Sequence, residues 1–186
     1  YSSLFVEMPA ATVTNYATHN AGLLDSFYSC NWPALGTPLR RGLERVGKYY
    51  EGTLTGRPTP ITHSCQQNFT ILFTDGYWNG SDPGAAIGDS DADGHDLTLA
   101  DVAHYYYTND LSSEVDDVPT NPFDPATHQH MVTFGVAFGV QGNLVAGSNG
   151  WPSPALTESS NWGNPYSGDP EKIDDLWHAA YNSRGT

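Results

Sequence analysis

The sequence predicts an α/β fold with a mostly parallel sheet, and three observations carry this prediction. Two apolar runs of strand length occur, at 69–73 and 130–140, and both are rich in β-branched and aromatic residues. Amphipathic helical spacing occurs before, between and after these runs. A helix between two buried strands is typical of a parallel sheet, whose ligands bind beyond the carboxyl ends of the strands.

The first part of the chain is predicted to contain two helices. Residues 1–33 are irregular apart from a short helix at about 21–28. The stretch GTPLRRGLERVGKYYEG begins with Thr-Pro, ends at a glycine and carries most of the basic residues. Its apolar residues recur at helical spacing, namely Leu39, Leu43, Val46 and Tyr50.

The stretch NFTILFTDG follows as the first strand. It shows little alternation of apolar and polar residues, which predicts a strand buried on both faces. A Gly/Asp-rich loop at 79–96 separates it from the next helix. That helix is indicated by Leu97, Val102 and Tyr106 at helical spacing.

The second strand and the last helix complete the pattern. A polar loop at 112–127 precedes the strand HMVTFGVAFGV, and a long irregular stretch at 142–170 follows it. The final helix is predicted to have Asp169 as its N-cap and Pro170 at its first position.

The charge of the chain excludes two classes of partner. Its 186 residues include 7 basic and 21 acidic ones, for a net charge of −14, and none of the basic residues lies between Arg57 and Lys172. Such a field repels nucleic acid and anionic lipid and attracts cations such as Ca²⁺. No apolar run reaches the roughly 20 residues of a membrane-spanning helix.

The acidic loop DSDADGHD resembles the first half of an EF-hand loop. Alternate carboxylates converge on one cation in such a loop, and a glycine at its sixth position, here Gly94, permits the sharp turn. The second half departs from the pattern, with Leu97 and Ala100 where ligands are expected. A solvated acidic turn is the alternative. The predicted Ca²⁺ ligands are Asp89, Asp91 and Asp93, the backbone carbonyl of His95, and Asp96 or Asp101.

Three residues stand where the first strand ends, at the edge of the sheet that binds ligands. Asp75 lies directly after the strand, and Tyr77 and Trp78 follow it. The two aromatic residues could contact a partner or a glycan, or they could cover the irregular loops.

A serine esterase is the catalytic alternative. Gly88-Asp89-Ser90 resembles the nucleophile block of GDSL esterases, and Asp175 and His178 resemble their Asp-x-x-His block. The surrounding carboxylates weaken this hypothesis, because they would destabilise the oxyanion of the reaction.

Five stretches together resemble one family. They are GTPLRRGLERVGKYY, CQQNFTILFTDGYWNG, DSDADGHDLTLADVAHYYYTNDL, HQHMVTFGVAFG and IDDLWHAAYNSRG. They are similar to the type IV pilus tip-associated PilY1-type proteins, in their von Willebrand factor A-like domain. The similarity covers residues 36–186, and residues 1–35 form a more weakly matched lead-in. We therefore expect one domain over 1–186, a doubly wound and incomplete sheet, and a longer parent protein.

The resemblance implies a secreted, cell-surface protein associated with pili. It implies a non-catalytic domain for adhesion or pilus assembly, with pilus or minor pilin proteins and a host or surface ligand as partners. A purely structural pilus-assembly segment is a further alternative. The residues alone leave Cys30 and Cys65 as either a disulfide or two thiols, and export favours the disulfide.

The resemblance also implies a metal site at the top of the sheet. Thr37 and Asp75 match two of the family's ligand positions, but no DxSxS motif occurs in the 186 residues. The site is therefore expected to be degenerate, and Mg²⁺ would bind only if a DxSxS loop stood upstream. Thr37 could instead be the N-cap of the helix that follows it.

Overall fold

The computed structural model describes residues 16–30, 36–148, 152–153 and 161–185. It is a mixed α/β structure in which the described residues divide into two compact units, Tyr1–Leu35 and Gly36–Thr186. The elements in chain order are α1 (Ala17–Tyr28), α2 (Leu39–Tyr50), β1 (Asn68–Thr74), α3 (Leu99–Thr108), β2 (Met131–Ala137), β3 (Val145–Ala146), β4 (Pro152–Ser153) and α4 (Asp169–Asn182).

The first unit contributes one described helix. Helix α1 begins at Ala17, four residues before the predicted start, and has no buried residues. Its apolar side chains are exposed, including Leu24 and Phe27.

The second unit contains the predicted parallel strand pair. β1 and β2 run parallel, with Asn68 opposite Met131 and Thr74 opposite Ala137. Helix α3 lies between them in the chain, as expected for a parallel connection. A short antiparallel pair, β3 and β4, stands apart from this sheet. The α/β class is therefore confirmed, with a small parallel sheet.

The prediction that β1 is buried on both faces is wrong. Burial alternates along the strand, and Leu72 is buried while Phe69, Ile71 and Phe73 are 51%, 68% and 67% exposed. Leu72 joins a core formed by residues of α2, α3 and α4, so these helices lie against one face only. A run of apolar residues gives no indication of which face a helix will cover.

This one-sided burial predicts unequal effects of two neighbouring substitutions. Leu72→Ala is expected to lower the free energy of unfolding by about 2 kcal/mol, because it leaves a cavity in the core. Phe73→Ala is expected to change it by only about 0.5 kcal/mol. Urea unfolding of both variants measures the difference. Equal losses would show that the Phe73 face is covered in solution.

Helix α2 begins without a side-chain cap. Its N-cap is Pro38, and no side chain accepts a hydrogen bond there. The alternative of Thr37 as N-cap is therefore wrong, because the helix begins at Leu39, two residues after Thr37. Instead the Thr37 N–H donates to Asn79 Oδ1 at 2.9 Å, and the Asn79 N–H donates to the Thr37 carbonyl at 2.9 Å.

The two later helices have well-defined starts. Thr98 caps α3 in a capping box, since its hydroxyl accepts from the Asp101 N–H and the Asp101 carboxylate accepts from the Thr98 N–H. The spacing of Thr98 and Asp101 is a readable signal that the sequence prediction missed. Helix α4 begins at Asp169 with Gly168 as its N-cap, one residue earlier than predicted.

None of the described helices is long and apolar enough to cross a bilayer.

Candidate metal centre

The acidic loop turns back on itself between β1 and α3. The Leu97 N–H donates to the Gly88 carbonyl at 2.9 Å and closes the loop. Gly94 has a φ of 93°, so the glycine does occupy the sharp turn. Ala92, with a φ of 59°, also adopts the left-handed conformation, which is unfavourable for a residue with a Cβ atom.

Several carboxylates of the loop accept hydrogen bonds from its own backbone. Asp89 accepts from the N–H groups of Asp93 and Gly94, both at 3.1 Å. Asp93 accepts from the His95 N–H at 2.8 Å. Asp101 accepts from the Ser90 N–H at 2.6 Å as well as from its capping partner Thr98. These bonds orient the carboxylates but do not by themselves require a cation.

The described residues form two clusters that could hold a metal ion. One combines Asp89, Asp91 and Asp101, and the other combines Asp91, Asp93 and His178. Within each cluster, one ligand atom per residue lies within 4.8 Å of the others. Asp91 belongs to both clusters and is therefore the central residue of the site. The structure thus places together all three alternating aspartates and Asp101 of the predicted set.

Two other predicted ligands lie outside these clusters. The His95 ring and the Asp96 carboxylate are in neither cluster of the described residues. Asp96 is exposed, and its carbonyl accepts a hydrogen bond from the Tyr166 hydroxyl at 2.8 Å. The prediction for His95 concerned its backbone carbonyl, and that role stays a prediction.

Burial and mutual repulsion act on the carboxylates of the site. Burial, together with the charges of Asp101 and Asp93, raises the pKa of Asp91 from 3.8 to about 7, against the hydrogen bonds that the carboxylate accepts. Burial also raises the pKa of Asp101 to about 6, against the hydrogen bonds from Thr98, Ser90 and Asp91. A cation bound between crowded, partly buried carboxylates lowers the free energy of their charged forms.

Helix α4 brings two further side chains to Asp91. His178 Nε2 lies 3.3 Å from Asp91 Oδ2, and Asn182 Nδ2 donates to the same oxygen at 2.6 Å. The sequence prediction missed both contacts. It assigned His178 to an esterase motif, and no local pattern around Asn182 indicates that it faces a loop 91 residues earlier in the chain.

The three residues of the esterase alternative have other close partners. Ser90 Oγ lies 3.0 Å from His104 Nδ1, whereas His178 faces Asp91 and Asp93. The Asp175 carboxylate accepts hydrogen bonds from Trp78 Nε1 and from the first N–H groups of α3.

The aromatic pair after β1 is split between surface and core. Tyr77 is half-buried, but Trp78 is only 4% exposed and packs in the core. The Arg40 guanidinium lies 4.0 Å from the centre of the Trp78 ring, and Asp175 accepts from its Nε1 at 2.8 Å. The assignment of Trp78 to a partner surface is therefore wrong, because Arg40 and Asp175 hold it inside.

The structure also bears on the predictions for Asp75 and for the two cysteines. Asp75 is exposed at the end of β1, and the segment that follows it is joined to Thr37 by the bonds of Asn79. Cys30 and Cys65 are both thiols in the structure, so the expected disulfide between them is not formed there.

Comparison with known proteins identifies relatives of the chain. It is 32% identical over 197 residues to the type IV pilus biogenesis factor PilY1 of Pseudomonas aeruginosa strain PAO1, covering 81% of the chain and 17% of that protein. It is 34% identical over 210 residues to PilY1 of strain UCBPP-PA14, covering 83% of the chain and 17% of that protein.

The chain therefore spans about a sixth of the length of the curated relatives that it matches. No family model and no solved structure matches it. The resemblance predicted from the motifs is nevertheless confirmed, and the chain is a PilY1-type sequence over the aligned part of its length.

Proposed function

We propose that the chain is a non-catalytic segment of a cell-surface protein that acts in type IV pilus assembly or adhesion. The identity of 31% to 34% to pilus biogenesis factors carries this proposal. A von Willebrand factor A-like fold is part of it, supported by the parallel β1–β2 pair with α3 between the strands. The expected partners are pilus or minor pilin proteins and a host or surface ligand.

A segment exchange tests the pilus role. The aligned part of this chain would replace its counterpart in PilY1 of Pseudomonas aeruginosa, and sheared surface pili would be measured by immunoblot. We expect surface pili to be restored relative to a PilY1 deletion. A chimaera that accumulates to the normal level but leaves the surface without pili would contradict the proposal.

Calcium organises the acidic loop in this proposal. Asp89, Asp91 and Asp101 supply carboxylate oxygens, the ligand type that Ca²⁺ prefers, and Gly94 provides the turn that such a loop needs. The cation would relieve the repulsion that acts on Asp91, which is buried between its neighbours. The alternative, a solvated acidic turn, predicts no response to the cation.

Thermal unfolding tests the calcium loop. At free Ca²⁺ about 100-fold above the dissociation constant, Tm is expected to rise by roughly 5–10 °C. Asp89→Asn should abolish most of this rise, because it removes one carboxylate of the cluster. Asp116→Asn is the matched control, since this exposed residue removes the same charge elsewhere. If Ca²⁺ raises Tm equally in both variants, the rise comes from general charge screening and not from a site in the loop.

Two parts of the family resemblance belong to the proposal as well. Thr37 and Asp75 would contribute to a Mg²⁺ site only together with a DxSxS loop, which the 186 residues do not contain. A Cys30–Cys65 disulfide would form on export to an oxidising compartment. Peptide mapping of the exported protein without reduction tests this bond, and two alkylated thiols would contradict it.

A further inference from the structure

The last turns of α4 bring a nitrogen ligand to the acidic loop. His178 Nε2 lies 3.3 Å from Asp91 Oδ2, and one ring nitrogen of His178 lies within 4.8 Å of a carboxylate oxygen of both Asp91 and Asp93. The side chains of His178, Asp91 and Asp93 are only 3%, 0% and 6% exposed. Calcium prefers oxygen ligands, whereas imidazole together with carboxylate suits Zn²⁺ and related transition metals. This second cluster therefore differs in chemistry from the first.

The side chain of Asn182 contacts this cluster and carries a buried oxygen that no described donor satisfies. Asn182 is 0% exposed, and its Oδ1 is buried without a hydrogen-bond partner among the described residues. A buried amide oxygen without a donor is unfavourable by an amount similar to a broken hydrogen bond. In the structure Nδ2 of the same amide, and not Oδ1, faces Asp91. Turning the amide by 180° would exchange Oδ1 and Nδ2 and bring Oδ1 against the Asp91 carboxylate. This arrangement of two oxygens is favourable when both bind one cation.

The distance between His178 and Asp91 fits two ligands of one ion. Ligands about 2.0–2.1 Å from a tetrahedral Zn²⁺ lie roughly 3.3–3.4 Å from each other. The observed 3.3 Å between His178 Nε2 and Asp91 Oδ2 agrees with this separation. A charge-assisted N–H···O bond is shorter, at roughly 2.7–2.9 Å.

The fold also fixes the orientation of the imidazole ring. His178 stacks on Trp162, with 4.3 Å between the ring centres and 9° between the planes. His178 and Asn182 are four residues apart on α4, so both lie on one side of the helix. Such preorganisation lowers the free energy needed to bring ligands together around an ion.

We propose, as an inference that rests on the cation-organised loop proposed above, that Asp91, Asp93 and His178 form a second site for a transition-metal cation of the Zn²⁺ class. Asn182 Oδ1 is the fourth ligand. The ion fastens the acidic loop to the end of α4. Because Asp91 belongs to both clusters, Zn²⁺ and Ca²⁺ compete for the protein.

A comparison of two variants tests this site. The chelated chain would carry Cys30→Ser and Cys65→Ser, so that thiolates cannot bind the metal, and Tm would be measured with Zn²⁺ or Ca²⁺. We expect Zn²⁺ to raise Tm by roughly 5–10 °C at about 100-fold excess over its dissociation constant. His178→Gln should abolish the response to Zn²⁺ and leave that to Ca²⁺. Asp89→Asn should do the reverse.

The outcomes separate this inference from the proposed function. A Ca²⁺ response without a Zn²⁺ response, or a Zn²⁺ response unaffected by His178→Gln, would overturn the second site only. A Zn²⁺ response without a Ca²⁺ response would contradict the calcium loop and not the second site.

Cobalt absorption keeps the test decisive if His178→Gln does not fold. Co²⁺ would be added to the chain that carries only Cys30→Ser and Cys65→Ser. It should then show the intense visible bands of a tetrahedral site. Weak bands, typical of six oxygen ligands, would overturn the proposal.

Discussion

Replacing Asp175 by alanine is expected to lower the free energy of unfolding by at least about 3 kcal/mol. Asp175 is 3% exposed, and its two oxygens accept from Trp78 Nε1 at 2.8 Å, the Leu99 N–H at 3.0 Å and the Ala100 N–H at 2.9 Å. Alanine would leave these three donors buried without an acceptor, each at a loss of roughly 1–3 kcal/mol. Urea unfolding measures the change.

Asp169→Ala provides the control on the same helix. The Asp169 side chain is 58% exposed and pairs only with Lys172 among the contacts described, at 2.7 Å. Its removal is expected to change the stability by no more than about 1 kcal/mol. Similar losses for the two variants would mean that helix charge, rather than the buried contacts of Asp175, determines the stability.

The buried Asp175 also predicts how stability depends on pH. Burial raises its pKa from 3.8 to about 7, against the hydrogen bonds from Ala100, Leu99 and Trp78. The folded protein therefore keeps this proton to a higher pH than the unfolded chain does. The resulting stabilisation is fully present below the unfolded pKa of 3.8 and is lost as pH rises through about 7.

Asp175→Asn isolates this effect, because asparagine keeps the shape of the side chain and does not titrate. The difference in unfolding free energy between the original chain and the variant should shrink from about pH 4 to about pH 7 and then stay constant. Urea unfolding at several pH values measures it. A difference that does not change with pH would contradict the raised pKa.

Replacing Gly47 by alanine is expected to destabilise the protein by about 3 kcal/mol, whereas Gly42→Ala should stabilise it by up to about 1 kcal/mol. Both glycines lie in α2. A Cβ atom on Gly47 would overlap the ring of Tyr106, which is 2% exposed in the core, but one on Gly42 would meet no atom within 4 Å.

The pair of alanine variants separates helix propensity from packing. Alanine favours the helix at both positions, so only the contact with Tyr106 can reverse the sign. Thermal unfolding of the two variants measures both effects. Stabilisation by Gly47→Ala would show that α2 and α3 do not approach each other as closely as the structure has them.

Local patterns predicted most of the elements but not how their faces are covered. Periodicity and end signals located α2, α3, α4 and both long strands, because these signals depend on neighbours in the chain. The same patterns left Trp78 undecided between a partner surface and packing against the loops, and they placed β1 between two layers. Both points concern burial, which depends on residues far away in the sequence, such as Arg40 and Asp175.

The candidate site divides in the same way. Alternating carboxylates and Gly94 in one short loop were sufficient to predict a cation site, since alternate residues of a turn converge. The contribution of His178 and Asn182 could not be predicted, because both residues lie more than 80 residues beyond the end of the loop.

The sequence by itself determined the family, the α/β class and the acidic loop, because each can be recognised from short stretches of the chain taken one at a time. Only the tertiary structure decided that Asp175 joins α3 to Trp78, and that α4 closes over Asp91. Those contacts arise when buried helices pack side by side, and the order of residues in any one segment does not specify them.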